Sequence, residues 1–351
     1  MLPLTLNPQR MKNTTLPLGT SWLLGSCMEA RGKQDLWARR KPEALEALRE
    51  RALIQSVESS NRIEGVTVDA GRLRPVIIGK VRPRDRSEEE LGGYHRALHW
   101  IFTRKGPVII SGDVIRRLHG LAQGGSGDAG EWKTRDNEII EILPNGDRRI
   151  RFVPATARQT PALIDKLCRN YNDALHDQQV PTLLLAGAFV FDFLCIHPFR
   201  DGNGRVSRLL TTLLLQSQGF DVARYISLER LIEQSKEDYY RILGDCSQDW
   251  PSGENEILPW WNYLLGTMRT AYQDLERQLG AAARPAKGDL ARRTILEQAG
   301  EFTLADLAAQ LPSASPQLIK LALAKCKSEG LVRLTGKGRG ARWLLLHPTY
   351  R

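Results

Sequence analysis

Apolar residues recur at helical spacing along most of this 351-residue chain, and this periodicity limits the possible folds more than any other feature. The pattern predicts a mainly α protein. A composition of 42% hydrophobic and 26% charged residues is typical of a globular chain and argues against disorder. The predicted helices cover residues 41–63, 86–104, 112–123, 158–178, 182–196, 204–218, 228–243 and 256–279.

The segment from Glu138 to Val153 departs from the helical pattern. Branched and aromatic residues lie on both sides of Pro144-Asn145-Gly146-Asp147, a strong turn signal, so the segment predicts a β-hairpin. The exposed edge of such a hairpin would pair with an extended peptide of almost any sequence, and a hairpin that only stabilises the fold is the alternative. The residues expected to face each other are Ile139, Ile140, Ile142 and Leu143 on one strand and Ile150, Phe152 and Val153 on the other.

Small residues, a proline and glycines interrupt the helical pattern again and predict a linker at residues 280–289. The chain therefore divides into an N-terminal helical region (1–85), a central domain (86–279) and a C-terminal domain (290–351). In the C-terminal domain three short predicted helices precede two predicted strands, and that order looks like a winged helix.

Basic residues of the C-terminal domain follow its predicted third helix and its wing. Such a distribution would suit contact with a DNA backbone. A solvated basic surface and a winged helix that binds protein are the alternatives. The residues are Lys320, Lys325, Lys327, Lys337, Arg339 and Arg342.

A formal charge of +10 and a pI near 9.5 favour an acidic partner, whether a nucleotide, a nucleic acid or an acidic protein surface. The five cysteines lack CxxC spacing, so we interpret them as small hydrophobic residues and expect no structural zinc. Residues 1–30 contain no apolar stretch long enough for a signal-peptide core or a membrane span. We therefore expect a cytoplasmic protein without a membrane partner.

A polar run from His197 to Arg208 separates two predicted helices and predicts a phosphate site. Gly202 and Gly204 carry no side chain to keep the backbone from an anion, and they permit dihedrals that turn amide N–H groups toward one point. The helix that begins near Gly204 adds unpaired N–H groups and a positive dipole end. Arg205 and Arg208 are expected to share one face and hold the outer phosphates of a nucleoside triphosphate. A tight turn with capping residues is the alternative.

Two further side chains of this run predict chemistry at phosphorus. Asp201 is a hard oxygen ligand at the point where a Mg²⁺ ion that bridges two phosphates is expected. His197, with an ordinary pKa of about 6.5, would accept the proton of an attacking hydroxyl. Phe199 lies between polar positions and is expected to anchor the loop in the core.

Between His197 and Arg208 the chain resembles the complete Fic motif, HxFx(D/E)GNGRxxR, at every defining position. Similarity to Fic proteins covers roughly residues 40–245. Fic proteins are typically adenylyltransferases, which transfer AMP from ATP to a Ser, Thr or Tyr hydroxyl of a target protein and release pyrophosphate. The resemblance implies a Fic helical domain with a hairpin flap that positions the target, with ATP as substrate and Mg²⁺ as cofactor. It implies His197 as the base, Asp201 as the Mg²⁺ ligand, Gly202, Asn203 and Gly204 as the anion hole, and Arg205 and Arg208 as triphosphate clamps.

The nature of the nucleotide donor follows from the second glycine of the motif. Doc-like kinases replace this glycine with lysine, which reverses the nucleotide, whereas this chain has Gly204, so AMP transfer is favoured. A donor such as UTP or a phosphocholine nucleotide would keep the same fold. The competing hypothesis is a DNA-binding regulator in which the Fic domain senses a nucleotide.

Ser60 and Glu64 stand four residues apart at the end of the first predicted helix, so they share a face. A solvated helix end is the alternative for this short pattern. Beside an intact Fic motif, residues 60–65 resemble the inhibitory pattern (S/T)xxxE(G/N) of the family. The resemblance implies that Glu64 pairs with Arg208 and keeps that arginine from the γ-phosphate. In some relatives the same glutamate helps water remove AMP, so reverse activity is left open.

Three remaining positions receive weaker assignments. Tyr239 and Tyr240 could place a ring beside an adenine, although core packing explains them almost as well, and Tyr240 is the candidate. Lys133 stands where many relatives have arginine, and its role is left open. Self-modification is expected, and a homodimer is open because relatives often dimerise.

Overall fold

The computed structural model describes residues 2–104, 106, 108–124, 127–142, 147–282, 287–298, 300–312, 314–336 and 341–346. These residues form two compact units, Met1–Leu279 and Gly280–Arg351. The larger unit is mainly helical, which confirms the predicted fold class. Its helices are α1 (Pro8–Lys12), α2 (Leu18–Arg40), α3 (Pro42–Ile63), α4 (Ala70–Ile77), α5 (Arg86–Thr103), α6 (Gly112–Ala122), α7 (Thr160–Asp177), α8 (Thr182–Ile196), α9 (Asn203–Ser217), α10 (Leu228–Gln234), α11 (Lys236–Ser247) and α12 (Leu258–Ala282).

Helix α8 forms the centre of the larger unit. Every residue of α8 after Thr182 is buried, as expected for a helix that is apolar on all sides. Gly187 allows α12 to approach closely, because a Cβ there would lie 2.9 Å from the Trp261 ring. The indole nitrogens of Trp260 and Trp261 donate to the carbonyls of Gly187 and Leu184 at 2.9 and 3.0 Å.

A buried carboxylate on α8 attaches the N-terminal segment to this core. Asp192 accepts hydrogen bonds from the backbone N–H groups of Thr5 and Leu6 at 3.0 and 2.7 Å, and from the Trp250 indole at 2.7 Å. Three donors on one carboxylate compensate much of the cost of burying its charge. The first residues of the chain therefore belong to the same packed unit as α8.

Two features of the helical pattern differ from prediction. The single helix predicted at 228–243 is wrong, because the chain forms α10 and α11 with a break at Ser235. The Ser235 hydroxyl bonds the Leu231 carbonyl at 3.0 Å and the Tyr263 hydroxyl at 2.8 Å, and such side-chain bonds compete with a continuous helix. Helices α1, α2 and α4 were not predicted. Among residues 18–37 of α2, whose burial the structure describes, only Thr20 and Cys27 are buried.

The predicted hairpin consists of β1 (Ile139–Ile142) and β2 (Arg148–Phe152), which pair antiparallel. Ile139 lies opposite Phe152 and Ile140 opposite Ile150, with an irregularity between Ile139 and Ile140. Val153 does not face the first strand, because it follows the end of β2 and is exposed. Leu143 and the turn residues 144–146 lie outside the described residues.

The smaller unit has its own hydrophobic core, which includes Ile295, Phe302, Leu307 and Ile319. Its strands form an antiparallel sheet in the order β3–β5–β4, of which the short first strand was not predicted. The first helix begins at Lys287, inside the predicted linker, and Lys337 and Arg339 lie outside the described residues. The elements are α13 (Lys287–Leu296), β3 (Glu301–Phe302), α14 (Leu304–Gln310), α15 (Pro316–Ser328), β4 (Val332–Thr335) and β5 (Arg342–Leu345). The winged helix stays a prediction.

Across the described ranges, none of the helices combines the length and the apolar character that crossing a membrane requires.

Candidate functional site

The polar run lies where α8 ends and α9 begins. His197 ends α8 in the left-handed conformation, with φ of 51° and ψ of 60°, and its N–H donates to the Phe193 carbonyl at 2.9 Å. Gly202 precedes α9 with φ of 76°, a value that glycine adopts without strain. The loop at residues 197–202 therefore leads directly into the first turn of α9, where the first N–H groups have no partner within the helix.

The loop is closed by the side chain of Asn203. Its Oδ1 accepts the Phe199 N–H at 3.0 Å and its Nδ2 donates to the Phe199 carbonyl at 2.8 Å. The side-chain amide of Asn203 therefore holds the loop. Asn203 would bind an anion only through its backbone, and that binding stays a prediction. Phe199 itself is fully buried, as expected, and stacks on His119 with 3.7 Å between ring centroids.

His119 holds the same loop from α6, and sequence reasoning missed it because no motif marks the position. Its Nδ1 accepts the Gly130 N–H at 2.8 Å, so Nε2 carries the proton and donates to the Asp201 carbonyl at 3.1 Å. Burial is the main cause that lowers the pKa of His119 to about 4. The ring is consequently neutral near pH 7, in the tautomer that these two bonds require.

A cavity of about 340 Å³ opens above the loop. Its wall brings together residues that are far apart in the sequence, including Glu64, His197, Gly204, Arg208 and Tyr240. The hairpin and α11 complete the wall. The other lining residues are Ile139, Ile140, Arg151, Phe152, Leu194, Cys195, Tyr239, Leu243, Gly244 and Ser247.

Arg208 is buried and contacts the end of α3. Its Nη2 bonds Glu64 Oε1 at 2.8 Å and the Ser60 carbonyl at 2.9 Å, and its Nε bonds Ser60 Oγ at 2.9 Å. Burial is the largest single influence and would lower the pKa of Arg208. The charge and hydrogen bond of Glu64, together with the nearby Tyr94 and Tyr239, outweigh it, so the pKa lies above its usual range. The predicted pairing of Glu64 with Arg208 is thus present.

Glu64 also lies directly against the first turn of α9. A Cβ built on Gly204 would overlap Glu64 Oε1, so any side chain at this position would force the carboxylate to shift. The same Cβ would lie 3.3 Å from Arg208 Nη1, a buried nitrogen that lacks a hydrogen-bond partner among the described residues. A carboxylate therefore stands where an anion would meet both the helix N-terminus and an unsatisfied guanidinium nitrogen.

Arg205 does not converge with Arg208, contrary to the expected shared face. Its buried guanidinium forms an ion pair with Glu90 of α5 at 2.8 Å and lies 3.4 Å from Gln123 Oε1. Side chains three residues apart on a helix point in directions that differ by about 60°, because each residue turns the helix by about 100°. Helix α5 lies beside Arg205, one of these two side chains. Arg205 is absent from the wall of the cavity, so its role as a triphosphate clamp stays a prediction.

Asp201 is exposed, and its chemistry fits a Mg²⁺ ligand. One carboxylate oxygen pairs with Arg86 at 2.7 Å and the other accepts the Gly202 N–H at 2.7 Å. Arg86 is 64% exposed, so it can move aside and free an oxygen for a cation. The described residues contain no cluster of three metal-ligating side chains, but Mg²⁺ is often held by one carboxylate together with substrate phosphates and water.

His197 reaches the cavity from the end of α8. Burial is the main cause that lowers its pKa from 6.5 to about 4, and the positive charge of Lys133 acts in the same direction. At neutral pH the imidazole is therefore uncharged and able to accept a proton.

Tyr239 and Tyr240 both line the cavity, and their ring centroids lie 5.2 Å apart, with Tyr239 the more deeply buried of the two. Two cations approach the Tyr240 ring, Arg151 of the hairpin at 5.4 Å and Lys236 at 5.9 Å from its centroid. The contact with Arg151 joins β2 to α11 at the mouth of the cavity. Binding of adenine by Tyr240 stays a prediction.

Comparison with known proteins identifies relatives of this region. The model of the Fic/DOC family matches residues 109–215. A Fido domain-containing protein of Dictyostelium discoideum is 40% identical over 120 residues, which are 30% of this chain and 81% of that protein. The protein adenylyltransferase Fic of Nematostella vectensis is 26% identical over 207 residues, and the protein adenylyltransferase fic-1 of Caenorhabditis elegans is 27% identical over 167 residues. These alignments cover 56% and 45% of this chain but only 44% and 30% of the two relatives.

Solved structures share the fold. A Fic family protein from Desulfovibrio desulfuricans has a TM-score of 0.64 at 21% identity and covers 96% of this chain and 99% of its own. A Fic domain-containing signalling protein from Bacteroides thetaiotaomicron has a TM-score of 0.61 at 22% identity and covers 73% of this chain and 97% of its own.

Proposed function

The chain belongs to the Fic/DOC family, and on that premise we propose that it is a protein adenylyltransferase that transfers AMP from ATP to a hydroxyl group of a protein. The observation that carries the proposal is the convergence of His197, Gly204 and Arg208 on one cavity. A neutral base, a helix N-terminus and a buried arginine meet there. The names of the two adenylyltransferase relatives support the same reaction.

In the proposed reaction His197 accepts the proton of the target hydroxyl. The hydroxyl oxygen forms a bond to the α-phosphorus of ATP, while the bond from that phosphorus to the bridging oxygen of the β-phosphate breaks. Pyrophosphate leaves and AMP remains on the target. The pKa of His197, lowered to about 4, keeps the imidazole unprotonated for this role at neutral pH.

The anionic part of ATP is proposed to bind at the start of α9. Free N–H groups of the first helical turn, the backbone beside Gly204 and the unsatisfied Nη1 of Arg208 provide donors for phosphate oxygens. Asp201 would hold Mg²⁺, which offsets negative charge on the triphosphate when it is bound.

Glu64 is proposed to inhibit the enzyme by occupying this anion site. Its carboxylate bonds Arg208 and lies against Gly204, the two groups that a phosphate would need. An anion of ATP and this carboxylate cannot use the same donors, so productive binding requires Glu64 to leave. Ser60 supports the arrangement, because its hydroxyl and carbonyl oxygens orient Arg208.

The hairpin is proposed to position the target. Within the described residues β1 pairs with β2 alone, so an extended segment could add to an outer edge of this sheet and bring its Ser, Thr or Tyr hydroxyl toward His197. Main-chain pairing depends little on sequence, which suits an enzyme that also modifies itself.

Labelling of the Glu64→Gly variant tests the proposed reaction. The protein is incubated with Mg²⁺ and either α-labelled or γ-labelled ATP, and products are examined by mass spectrometry. We expect label only from α-labelled ATP, an adduct with the mass of AMP, and no label in Glu64→Gly/His197→Ala. Transfer of γ-label would indicate a kinase. ATP binding without any covalent label would instead favour a nucleotide sensor, and the proposal would fail.

A further inference from the structure

The backbone of His197 has a strained conformation that neighbouring residues must hold in place. Its φ of 51° is one of two positive values among the described non-glycine residues, the other being at Gln178. A side chain other than that of glycine meets steric resistance in this region, so such a conformation persists only where the surroundings impose it. The residues that bond the backbone around His197 therefore keep it in this conformation.

Two residues outside the Fic motif hold the backbone on both sides of His197. The Lys133 N–H donates to the Pro198 carbonyl at 2.9 Å, and Lys133 Nζ donates to the Ile196 carbonyl at 3.2 Å. Asn137 Nδ2 donates to the Phe199 carbonyl at 3.3 Å. Nζ of Lys133 also donates to Asn137 Oδ1 at 2.8 Å, so the two side chains act together.

Lys133 is an unusual residue for a purely structural contact. The side chain is buried, and both hydrogen bonds of its ammonium group go to neutral oxygens, one from an amide and one from a carbonyl. Burying an ammonium group in this way is unfavourable, and burial accordingly lowers the pKa of Lys133 to about 8. An uncharged side chain would avoid that cost, so a lysine here calls for an explanation beyond packing.

We propose that Lys133, together with Asn137, is a positioning residue that fixes the His197 backbone so that its imidazole meets the target hydroxyl. The ammonium group bonds the carbonyl before His197, the Lys133 N–H bonds the carbonyl after it, and Asn137 bonds the next one. A rotation about the His197 backbone would break at least one of these bonds. This inference rests on the proposed role of His197 as the base.

The proposal predicts a selective loss. ATP phosphates are proposed to bind at α9 and Arg208, whereas Lys133 and Asn137 contact only the His197 side of the loop. Losing the support should therefore lower kcat and leave ATP affinity nearly unchanged. A displacement of about 1 Å in a reacting group costs on the order of a hundredfold in rate, so we expect kcat to fall about tenfold to a hundredfold.

The experiment compares variants in the active Glu64→Gly background. Lys133→Met removes the ammonium group, Asn137→Ala removes the second side chain, and Lys133→Arg tests rescue by another cation. Lys80→Met is the matched control, because Lys80 is exposed. Single-turnover labelling gives kcat, calorimetry gives the Kd of ATP, and thermal unfolding checks the fold.

The expected result is a loss of kcat in Lys133→Met and Asn137→Ala with the ATP Kd within about twofold, and recovery to within about threefold in Lys133→Arg. An unchanged kcat in folded Lys133→Met would overturn the proposal, as would equal losses in kcat and ATP affinity. If Lys133→Met does not fold, the same comparison is made with Asn137→Ala, because Asn137 is only partly buried. An unchanged kcat in Asn137→Ala would then overturn the proposal.

A second readout separates this proposal from the proposed function. The chain has only six histidines, so ¹⁵N-histidine NMR can resolve the His197 ring. If the Glu64→Gly parent shows no labelling, the proposed function fails. Even then, a shift of the His197 ring signals in Lys133→Met but not in Lys80→Met would show that Lys133 positions His197. Unmoved signals in Lys133→Met would contradict that role.

Discussion

The contact between Glu64 and Arg208 makes the strongest quantitative prediction. In Glu64→Gly the carboxylate is removed from the first turn of α9, and Arg208 loses its 2.8 Å bond while it keeps both bonds to Ser60. Arg208 therefore stays oriented and gains a free donor. We expect the variant to label itself or a target faster than the parent.

The size of the effect follows from burial. A hydrogen bond between charged groups contributes about 1.5–3 kcal/mol when it is shielded from water. The Arg208 side chain is 2% exposed but that of Glu64 is 30% exposed, so solvent screening favours the lower part of that range. An inhibitory contact of about 1.5–2 kcal/mol corresponds to about a tenfold to thirtyfold increase in rate.

The assay is the initial rate of label transfer from α-labelled ATP, measured with the Kd of ATP. Glu64→Gln keeps the shape but not the charge, so its rate should fall between those of the parent and Glu64→Gly. Glu46→Gln is the matched control, because Glu46 lies on the same helix and pairs with Arg49 instead of Arg208. Equal rates in Glu64→Gly and the parent, with labelling detectable in both, would refute the reasoning. An equal increase in Glu46→Gln would refute it as well.

Further predictions concern the proposed base His197, the end of helix α3 and the buried core. The rate of label transfer should stay nearly constant from pH 8 to about pH 6 and fall as pH approaches 4, because the lowered pKa keeps His197 unprotonated above that value. Arg62→Ala should raise labelling about twofold to fivefold, because it removes the ion pair between Arg62 at the end of α3 and Glu233, with contacts of 2.7 and 2.9 Å. This pair is partly exposed and so contributes about 0.5–1 kcal/mol. An unchanged rate would mean that the pair does not hold the end of α3. Asp192→Ala should lower the free energy of unfolding in urea by about 3–5 kcal/mol, because three buried donors lose their acceptor, and a loss below about 1 kcal/mol would contradict this account.

Much of the fold could be predicted from local pattern. Helix α8 was predicted at 182–196 and occupies those residues, because an uninterrupted apolar run fits only a buried helix or strand, and 15 residues exceed the usual strand. Helix α2 could not be predicted in this way. Most of its side chains remain in contact with water, so burial imposed little periodicity on its sequence.

The candidate site shows the same division. The pairing of Glu64 with Arg208 was expected from two short motifs, and their groups lie 2.8 Å apart. The diverging directions of Arg205 and Arg208 were not expected. Spacing along a helix gives the angle between two side chains but not the neighbouring helices, and here α5 offers Glu90 to one arginine while α3 offers Ser60 and Glu64 to the other.

By itself the sequence determined most of the helical architecture, the polar loop between two helices and the two motifs, because each depends on residues close together along the chain. Only the tertiary structure decided which groups share the cavity, which arginine receives a carboxylate, and that Lys133 and Asn137 hold the His197 backbone. The physical reason is that hydrogen bonds and ion pairs act over a few ångströms, and their partners here are separated by tens to more than a hundred residues. Such distances along the chain are closed only when the helices pack.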